Sequence, residues 1–128
     1  MSHPYQYVTL RCVPRVERGE FVNVGVVLHS PTLDFLACRW HLEDGRLLSL
    51  DPRLDLAALQ ASLAVVEDVC AGIDGGGRPS LGSQGKRFGW LSAPRSTILQ
   101  PGPIHGGQCD DPDAALDHLL TRLVLPKG

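Results

Sequence analysis

The stretch from Arg18 to Leu28 constrains the fold more than any other part of the sequence, because it holds the densest run of β-branched apolar residues. Valine-rich runs bounded by turn residues are typical of β-strands. Alternate residues of a strand point to opposite sides of the sheet. One side would carry Val22, Val24, Val26 and Leu28, and the other Phe21, Asn23, Gly25, Val27 and His29. Because both sides are mostly apolar or small, we predict a central strand.

Further strands are predicted on either side of this one in the sequence. Val8, Leu10 and Cys12 share one face of a first strand over residues 5–13, and Pro14, which lacks an amide hydrogen, ends it. The short charged connection at residues 15–19 favours an antiparallel neighbour. After a turn at residues 31–34, residues 34–41 alternate again, which completes a three-stranded meander. Short strands are also predicted at 47–50 and 96–100, with an irregular segment at 102–107.

Two helices are predicted from apolar residues that recur at three- and four-residue steps. The first covers Leu56 to Ile73, and the second begins at Asp111-Pro112, a favourable N-cap and first helical residue, and ends at Pro126. The glycine- and serine-rich residues at about 74–86 predict a mobile loop. The sequence therefore predicts an α+β fold, an antiparallel sheet of four to five strands with two helices packed on one face. The order of the strands stays open.

Length and charge limit the class of protein. A chain of 128 residues fits one domain spanning residues 1–128. The formal net charge of −2 argues against general nucleic-acid binding, which needs a basic surface. No apolar run approaches the roughly 20 residues of a membrane span, and the first residues lack the basic and apolar regions of a signal peptide. We therefore expect a cytoplasmic protein whose four dispersed cysteines are small buried apolar residues.

The distribution of charge indicates an anion-binding segment. No acidic residue occurs between Asp74 and Asp110, whereas this span holds the basic residues Arg78, Lys86, Arg87, Arg95 and His105. The hydrogen-bonding residues that follow Arg95 are Ser96, Thr97 and Gln100. An arginine with hydroxyls and glycine amides suits a phosphate or carboxylate. The hypothesis is that residues 86–107 bind a nucleotide, a phosphate or a phosphorylated partner; the alternative is a solvated basic loop whose hydroxyls cap turns.

A second set of polar residues precedes and enters the central strand. Glu17 or Glu20 could act as a general base or bind a metal, but with Arg18 they could equally form surface ion pairs, which stabilise little. Asn23 interrupts an apolar strand, and a buried amide needs hydrogen-bond partners. It either closes a bulge or faces a ligand. Gly25 is expected to permit a bulge or close packing against an aromatic side chain.

Two other chemistries have weaker support. Residue types that bind zinc occur in two distant pairs, Cys38 with His41 and His105 with Cys109. These pairs form no compact motif, so we predict no metal and no cofactor. A nucleophilic triad could be drawn from Ser92 or Ser96 with His105 and Asp110, but the sequence has no G-x-S-x-G nucleophile elbow.

Three stretches of the sequence stand out together: Tyr5-Gln6-Tyr7 with the strand after it, residues 17–28 (ERGEFVNVGVVL) and residues 87–97 (RFGWLSAPRST). In combination they resemble the bacterial family called domain of unknown function 3037. The likeness continues through residues 100–101, 104–106 and 110–112, and so covers nearly the whole chain. The family motif residues here are Glu17, Arg18, Glu20, Asn23, Arg95, Ser96, Thr97, Gln100 and His105.

The resemblance implies a functionally uncharacterised protein with a possible partner. Members of the family are often encoded beside a HipA-like kinase-fold protein, which implies a partner or a shared pathway. The expected function is a cytoplasmic accessory or binding module with an anion-binding site built from the motif residues. The alternative is a small enzyme acting on a phosphate-containing substrate, in which Arg95 holds the anion and His105 or Glu20 moves protons. An enzyme requires these groups to meet in one cleft.

Overall fold

A computed structural model describes residues 2–76 and 78–126 of the chain. The five strands are β1 (His3–Cys12), β2 (Val22–Ser30), β3 (Phe35–Trp40), β4 (Leu99–Pro101) and β5 (His105–Cys109). The four helices are α1 (Asp44–Leu50), α2 (Leu56–Ala71), α3 (Gln84–Ser92) and α4 (Pro112–Leu123). Short 3-10 turns occupy Val16–Arg18 and Pro31–Leu33.

All five strands join one antiparallel sheet in which β1 has the most neighbours. The predicted meander is confirmed, because β1 pairs with β2 and β2 pairs with β3. The other edge of β1 is shared by two short strands: β4 pairs with its C-terminal end, from Leu10 to Cys12, and β5 with its N-terminal end, from His3 to Tyr7. The α+β class and the antiparallel sheet are therefore as predicted.

A β-bulge in β2 changes which side chains share a face. Leu10 of β1 pairs with Gly25 and Arg11 pairs with Asn23, so Val24 is an extra residue without a partner on β1. From this point on, the side chains of β2 point to the opposite faces of the sheet from those that simple alternation predicts. The prediction that Val22, Val24, Val26 and Leu28 share one face was wrong, because the first two pack in one apolar cluster and the last two in another.

The helices cover both faces of the sheet. On one face, here called the α2 face, buried residues of α1, α2 and α3 pack against Val8, Leu10 and Cys12 of β1. On the opposite face, the α4 face, Leu116 and Leu119 of α4 pack against β2. The predicted placement of two helices on one face was therefore wrong. The physical reason is that β2 is apolar on both sides, and each side has to be removed from water.

The two predicted helices form, the second with its predicted Asp111 cap and the first with a cap, Asp55, that was not predicted. The Asp55 side chain accepts a hydrogen bond from the amide of Ala58 at the start of α2, and Asp111 accepts from Asp113 and Ala114 at the start of α4. The second helix ends at Leu123, before Pro126. Such caps satisfy amides that have no partner within the helix.

Three local predictions were wrong. Residues 47–50 belong to the helix α1, where Leu47 is fully buried; a four-residue apolar run does not distinguish strand from helix. The predicted mobile loop at 74–86 ends earlier, because Ser83 caps α3, which begins at Gln84. Gly77 of that loop lies outside the described residues. The segment 102–107, predicted to be irregular, contains the start of β5, which forms by pairing with β1.

Gly25 has the close packing that the sequence predicted. A Cβ atom at this position would lie 3.0 Å from both the Arg39 carbonyl oxygen and the Trp40 Cβ atom. The strand β3 therefore approaches β2 closely beside the bulge. Any side chain at residue 25 would push the two strands apart.

We predict that Gly25→Ala lowers the free energy of unfolding by about 1–3 kcal/mol, because overpacking in a core forces backbone shifts of that cost. The measurement is urea denaturation followed by circular dichroism. Gly89→Ala is the matched control, since nothing lies within 4 Å of an added Cβ there and Gly89 lies inside α3. That control is expected to gain about 0.5–1 kcal/mol. Equal stability of the two variants would contradict the account of the bulge.

Candidate functional site

Arg95 lies at the rim of a cleft, in the loop between α3 and β4. Its guanidinium carbon is 4.4 Å from the centroid of the Trp90 ring. One terminal nitrogen donates a hydrogen bond to the Trp90 carbonyl oxygen, and Nε donates to the Ala93 carbonyl oxygen over 3.4 Å. The C-terminal end of α3 thus fixes both the position and the plane of the guanidinium.

The cleft has mainly apolar walls and a volume of about 490 Å³. Its lining comes from α2, from the end of α3 and from the segment entering β4, namely Ser62, Val65, Val66, Trp90, Arg95, Thr97, Ile98 and Leu99. Ile98, one of its apolar lining residues, is 44% exposed. The arrangement offers an apolar surface to a ligand and a cation at its edge.

No carboxylate among the described residues neutralises the charge of Arg95. Burial lowers the pKa of Arg95, and no ion pair among the described residues includes it. Arginine nevertheless stays protonated in proteins. Within the described part of the chain, its hydrogen-bond partners are the carbonyl oxygens of Trp90 and Ala93. A half-buried cation of this kind attracts an anion.

The polar residues after Arg95 mainly hold the turn that carries it. The Thr97 hydroxyl donates to the Leu99 carbonyl oxygen over 2.7 Å, and the Gln100 side-chain amide donates to the Thr97 carbonyl oxygen over 2.9 Å. Ser96 is exposed. Thr97 lines the Arg95 cleft, and Gln100 lines a small adjoining cavity. The Thr97 hydroxyl and the Gln100 amide therefore stabilise the turn, which is the alternative to anion binding considered above.

His105 lies on the opposite face of the sheet from Arg95. It pairs with Tyr7 in the β5–β1 register, and the two rings stack with centroids 5.3 Å apart. Tyr7 packs against the α4-face cluster, whereas Trp90 packs against the α2-face cluster. The residues lining the Arg95 cleft do not include His105.

The acidic loop before β2 is exposed. Glu17 and Arg18 lie in a 3-10 turn, and Arg18 forms an ion pair with Glu20, which raises the pKa of Arg18. Exposed pairs of this type contribute little to stability. Neither glutamate lines the Arg95 cleft. The geometry favours surface ion pairs over a general base or a metal ligand.

Asn23 connects the sheet to the C-terminal helix. Its side-chain amide donates a hydrogen bond to the Leu123 carbonyl oxygen over 3.1 Å, next to the bulge in β2. Carbonyl groups in the last turn of a helix have no partner within the helix. Its Oδ1 atom is buried and has no hydrogen-bond partner among the described residues. Of the two roles considered above, the contact with α4 supports the structural one.

Three cysteines pack in the apolar core: Cys12 and Cys70 belong to the cluster on the α2 face, and Cys38 packs against it. Cys12 and Cys70 are buried, and Cys38 and Cys109 are half-buried. Burial raises the pKa of Cys12 to about 11 and that of Cys70 to about 12, so their reactive thiolate forms are rare at neutral pH. Among the described residues, no group of three or more His, Cys, Asp or Glu side chains is arranged to hold a metal ion.

Two contacts between an arginine and an aromatic ring were not predicted from the sequence. The pairing of Trp90 with Arg95 joins the end of a helix to the following loop. The pairing of Arg11 with Phe21 joins β1 to the residue before β2, with the Arg11 guanidinium carbon 4.2 Å from the ring centroid. Both aromatic residues lie in the stretches that resemble the family, and this was the only indication in the sequence that they matter. Sequence spacing alone does not reveal such contacts, because they depend on the tertiary fold.

The comparisons with known proteins give one match. A family model described as "Protein of unknown function (DUF3037)" matches residues 7–124. No curated protein and no solved structure matches the chain. Among the described residues, no helix is both long enough and apolar enough to cross a membrane.

A buried histidine, His29, makes stability depend on pH. Its side chain lies in β2, 5.2 Å from the Phe88 ring between centroids, and His29 is 6% exposed. Burial, with a smaller contribution from Arg87, lowers its pKa below the ordinary value of 6.5. The folded protein therefore holds this imidazole neutral at a pH where the unfolded chain protonates it.

We predict that stability falls as the pH drops below about 6.5, since the unfolded state then binds a proton that the folded state excludes. The contribution of His29 to the free energy of unfolding is fully present above pH 6.5. It is lost as the pH falls towards the lower pKa of His29 in the folded state. The slope attributable to one proton is at most about 1.4 kcal/mol per pH unit. Urea denaturation between pH 7 and 5 should show a shallower slope for His29→Gln than for the wild type. The control His118→Gln, at an exposed position, should keep the wild-type slope; identical slopes for all three proteins would refute the prediction.

Proposed function

The chain belongs to the DUF3037 family of proteins of unknown function, and from its own residues we propose that it is a binding module for a ligand that combines an anionic group with an apolar body. The ligand occupies the Arg95 cleft. Its anionic group meets the guanidinium at the rim, and its apolar part lies against the walls contributed by α2 and β4.

One observation carries this proposal: a half-buried guanidinium lies over the Trp90 ring at the edge of an apolar cleft, with no carboxylate partner among the described residues. Its hydrogen bonds to the Trp90 and Ala93 carbonyl oxygens hold it in place, and guanidinium N–H donors suit the oxygen atoms of a phosphate or carboxylate. Small-molecule sites commonly combine apolar walls with a few placed polar groups. The cleft of about 490 Å³ lies within the usual size range for such sites.

The enzyme alternative has less support from this geometry. Proton transfer requires an acid or base within hydrogen-bond reach of the reacting group. The residues lining the Arg95 cleft include no histidine, aspartate or glutamate. His105 and Glu20, the proton carriers considered for an enzyme, lie on the opposite face and in an exposed turn. A module that binds its ligand without converting it fits this composition better.

A protein partner forms a second part of the proposal. The resemblance to a bacterial family encoded beside HipA-like kinase-fold proteins supports an accessory role with such a partner in the cytoplasm. An anion-binding module beside a kinase could recognise a phosphorylated group, which is the kind of product a kinase makes. This part is supported by the resemblance and by the chemistry of the cleft.

Phenyl phosphate tests the cleft, because it combines a dianion with an apolar ring. The prediction is a saturable shift of the Trp90 indole N–H resonance in ¹⁵N spectra, with Trp40 as the internal reference, since these are the two tryptophans of the chain. Arg95→Lys should weaken binding at least about tenfold, since lysine keeps the charge but loses the planar fork. Arg53→Lys, at an exposed position, is the matched control and should bind like the wild type.

Two results would contradict the binding proposal. One is the absence of any saturable Trp90 shift with phenyl phosphate. The other is equal affinity of the wild type and Arg95→Lys. Phenol serves as the neutral reference ligand, and a shift of the same size with phenol would show that the anion plays no part.

The accessory role predicts a complex with the kinase-fold product of a neighbouring gene. Co-expression of the two proteins, followed by affinity purification and light scattering, should yield a stoichiometric complex. Recovery of the tagged protein alone under the same conditions would contradict the partner proposal. It would leave the cleft proposal unaffected, because the phenyl phosphate titration uses the isolated protein.

A further inference from the structure

A second arginine, Arg11 of β1, lines a separate cleft at the edge of the sheet beside β4. Arg11 pairs with Gln100 of β4 and with Asn23 of β2. The cleft has a volume of about 470 Å³ and is bounded mainly by the connection from β4 to β5. Its lining residues are Arg11, Ser92, Pro94, Pro101, Gly102, Pro103 and Ile104.

Two contacts fix the Arg11 guanidinium in place. Its carbon lies 4.2 Å from the centroid of the Phe21 ring. A Cβ atom added to Gly102 would lie 3.1 Å from both Cζ and Nε of Arg11, and 2.7 Å from the Thr9 hydroxyl oxygen. The backbone at residue 102 therefore approaches the guanidinium as closely as only glycine allows. The group is held in one orientation before any ligand arrives.

The Arg11 guanidinium has neither a hydrogen-bond acceptor nor an ion-pair partner among the residues that the structure describes. Its Nε atom is buried and has no hydrogen-bond partner among the described residues. None of the ion pairs in the described part of the chain includes Arg11. A buried donor without an acceptor costs free energy, and such groups call for a specific explanation. The terminal nitrogens of Arg11 also donate no hydrogen bond to a described residue, and they are the donors available to a ligand in the cleft.

We propose that the Arg11 cleft is an oxyanion-binding site for a carboxylate or phosphate attached to a small apolar body. The anion accepts hydrogen bonds from the guanidinium. The apolar body lies against the proline-rich wall and against Ile104, whose side chain is 50% exposed. The Ser92 hydroxyl at the edge donates to the Phe88 carbonyl oxygen, so its lone pairs stay free for a ligand that carries a donor.

This site is independent of the Arg95 cleft. The two clefts share no lining residue. Leu10 packs into the α2-face core, so Arg11, the next residue of β1, points to the α4 face. A ligand at one arginine therefore does not require the other, and each cleft can be tested by its own variant.

The test is a titration of the wild-type protein with three probes, sodium benzoate, phenyl phosphate and the neutral analogue benzamide. The readout is the side-chain Nε–Hε resonance of Arg11 in ¹H–¹⁵N spectra, assigned by its loss in Arg11→Lys. The expected result is a saturable shift with at least one anion and none with benzamide. A shift with benzoate alone assigns a carboxylate ligand, a shift with phenyl phosphate alone assigns a phosphate ligand, and shifts with both assign a general oxyanion site.

Variants separate this site from the Arg95 cleft. Arg11→Gln has no Nε–Hε group, so its binding is followed at the backbone amide of Gly102, which lines the same cleft. This variant should weaken binding at least about tenfold, because it removes charge-assisted hydrogen bonds. Arg95→Lys should leave the Arg11 titration unchanged. Gly102→Ala should also weaken binding, since the added Cβ displaces the guanidinium. If a variant fails to fold, the comparison of the anions with benzamide on the wild type still decides the question.

Three results would overturn the proposal. They are the absence of a saturable Arg11 shift with either anion, an equal shift with benzamide, and unchanged affinity in a folded Arg11→Gln. Each of them would make the stacked guanidinium a packing element of the sheet edge. A loss of the Arg11 shift in Arg95→Lys would also contradict the proposal, because it would show that the two clefts act as one site.

Discussion

The extra residue in β2, Val24, is the constraint on which the rest of the structure depends. Before it, Val22 faces the helices α2 and α3; after it, Val26 and Leu28 face α4. Val27 packs with Val22 and Val24, whereas Val26 and Leu28 pack on the other side, so one strand supplies apolar side chains to two separate cores. Beside the bulge, Gly25 leaves room for the close approach of β3. The adjacent Asn23 then binds the end of α4 and holds that helix on its face of the sheet.

The same division of faces places two arginines on opposite sides of β4. Each guanidinium lies on an aromatic ring, Arg95 on Trp90 and Arg11 on Phe21, and neither has a carboxylate partner among the described residues. By contrast, Arg39 forms ion pairs with Asp113 and Asp117 of α4 and serves the packing of that helix. Arg95 and Arg11 differ from a structural arginine such as Arg39 because each lies over an aromatic ring while no described carboxylate neutralises its charge.

Local signals in the sequence were sufficient for much of the fold. The valine-rich run, the proline after β1 and the Asp111-Pro112 helix start each depend on near neighbours, and the meander and both predicted helices followed from them. The bulge could not be predicted, because the register shift depends on pairing between strands. The strand β5 has little intrinsic strand propensity; it forms by pairing with β1, where Gly107 leaves room for the Tyr5 ring. For the site, the motif directed attention to Arg95, but it also grouped His105 and Glu20 with it, and only the tertiary fold separates them.

The most direct test of the central claim is a crystal structure of the protein with phenyl phosphate. The account predicts the phenyl ring in the cleft between α2 and β4, with phosphate oxygens within hydrogen-bond distance of the Arg95 guanidinium and the Trp90 stacking retained. A structure grown at a saturating concentration of the ligand, with the Arg95 cleft accessible in the lattice yet without bound phenyl phosphate, would contradict the claim. It would leave Arg95 as a residue that only fastens the end of α3 to the loop that follows it.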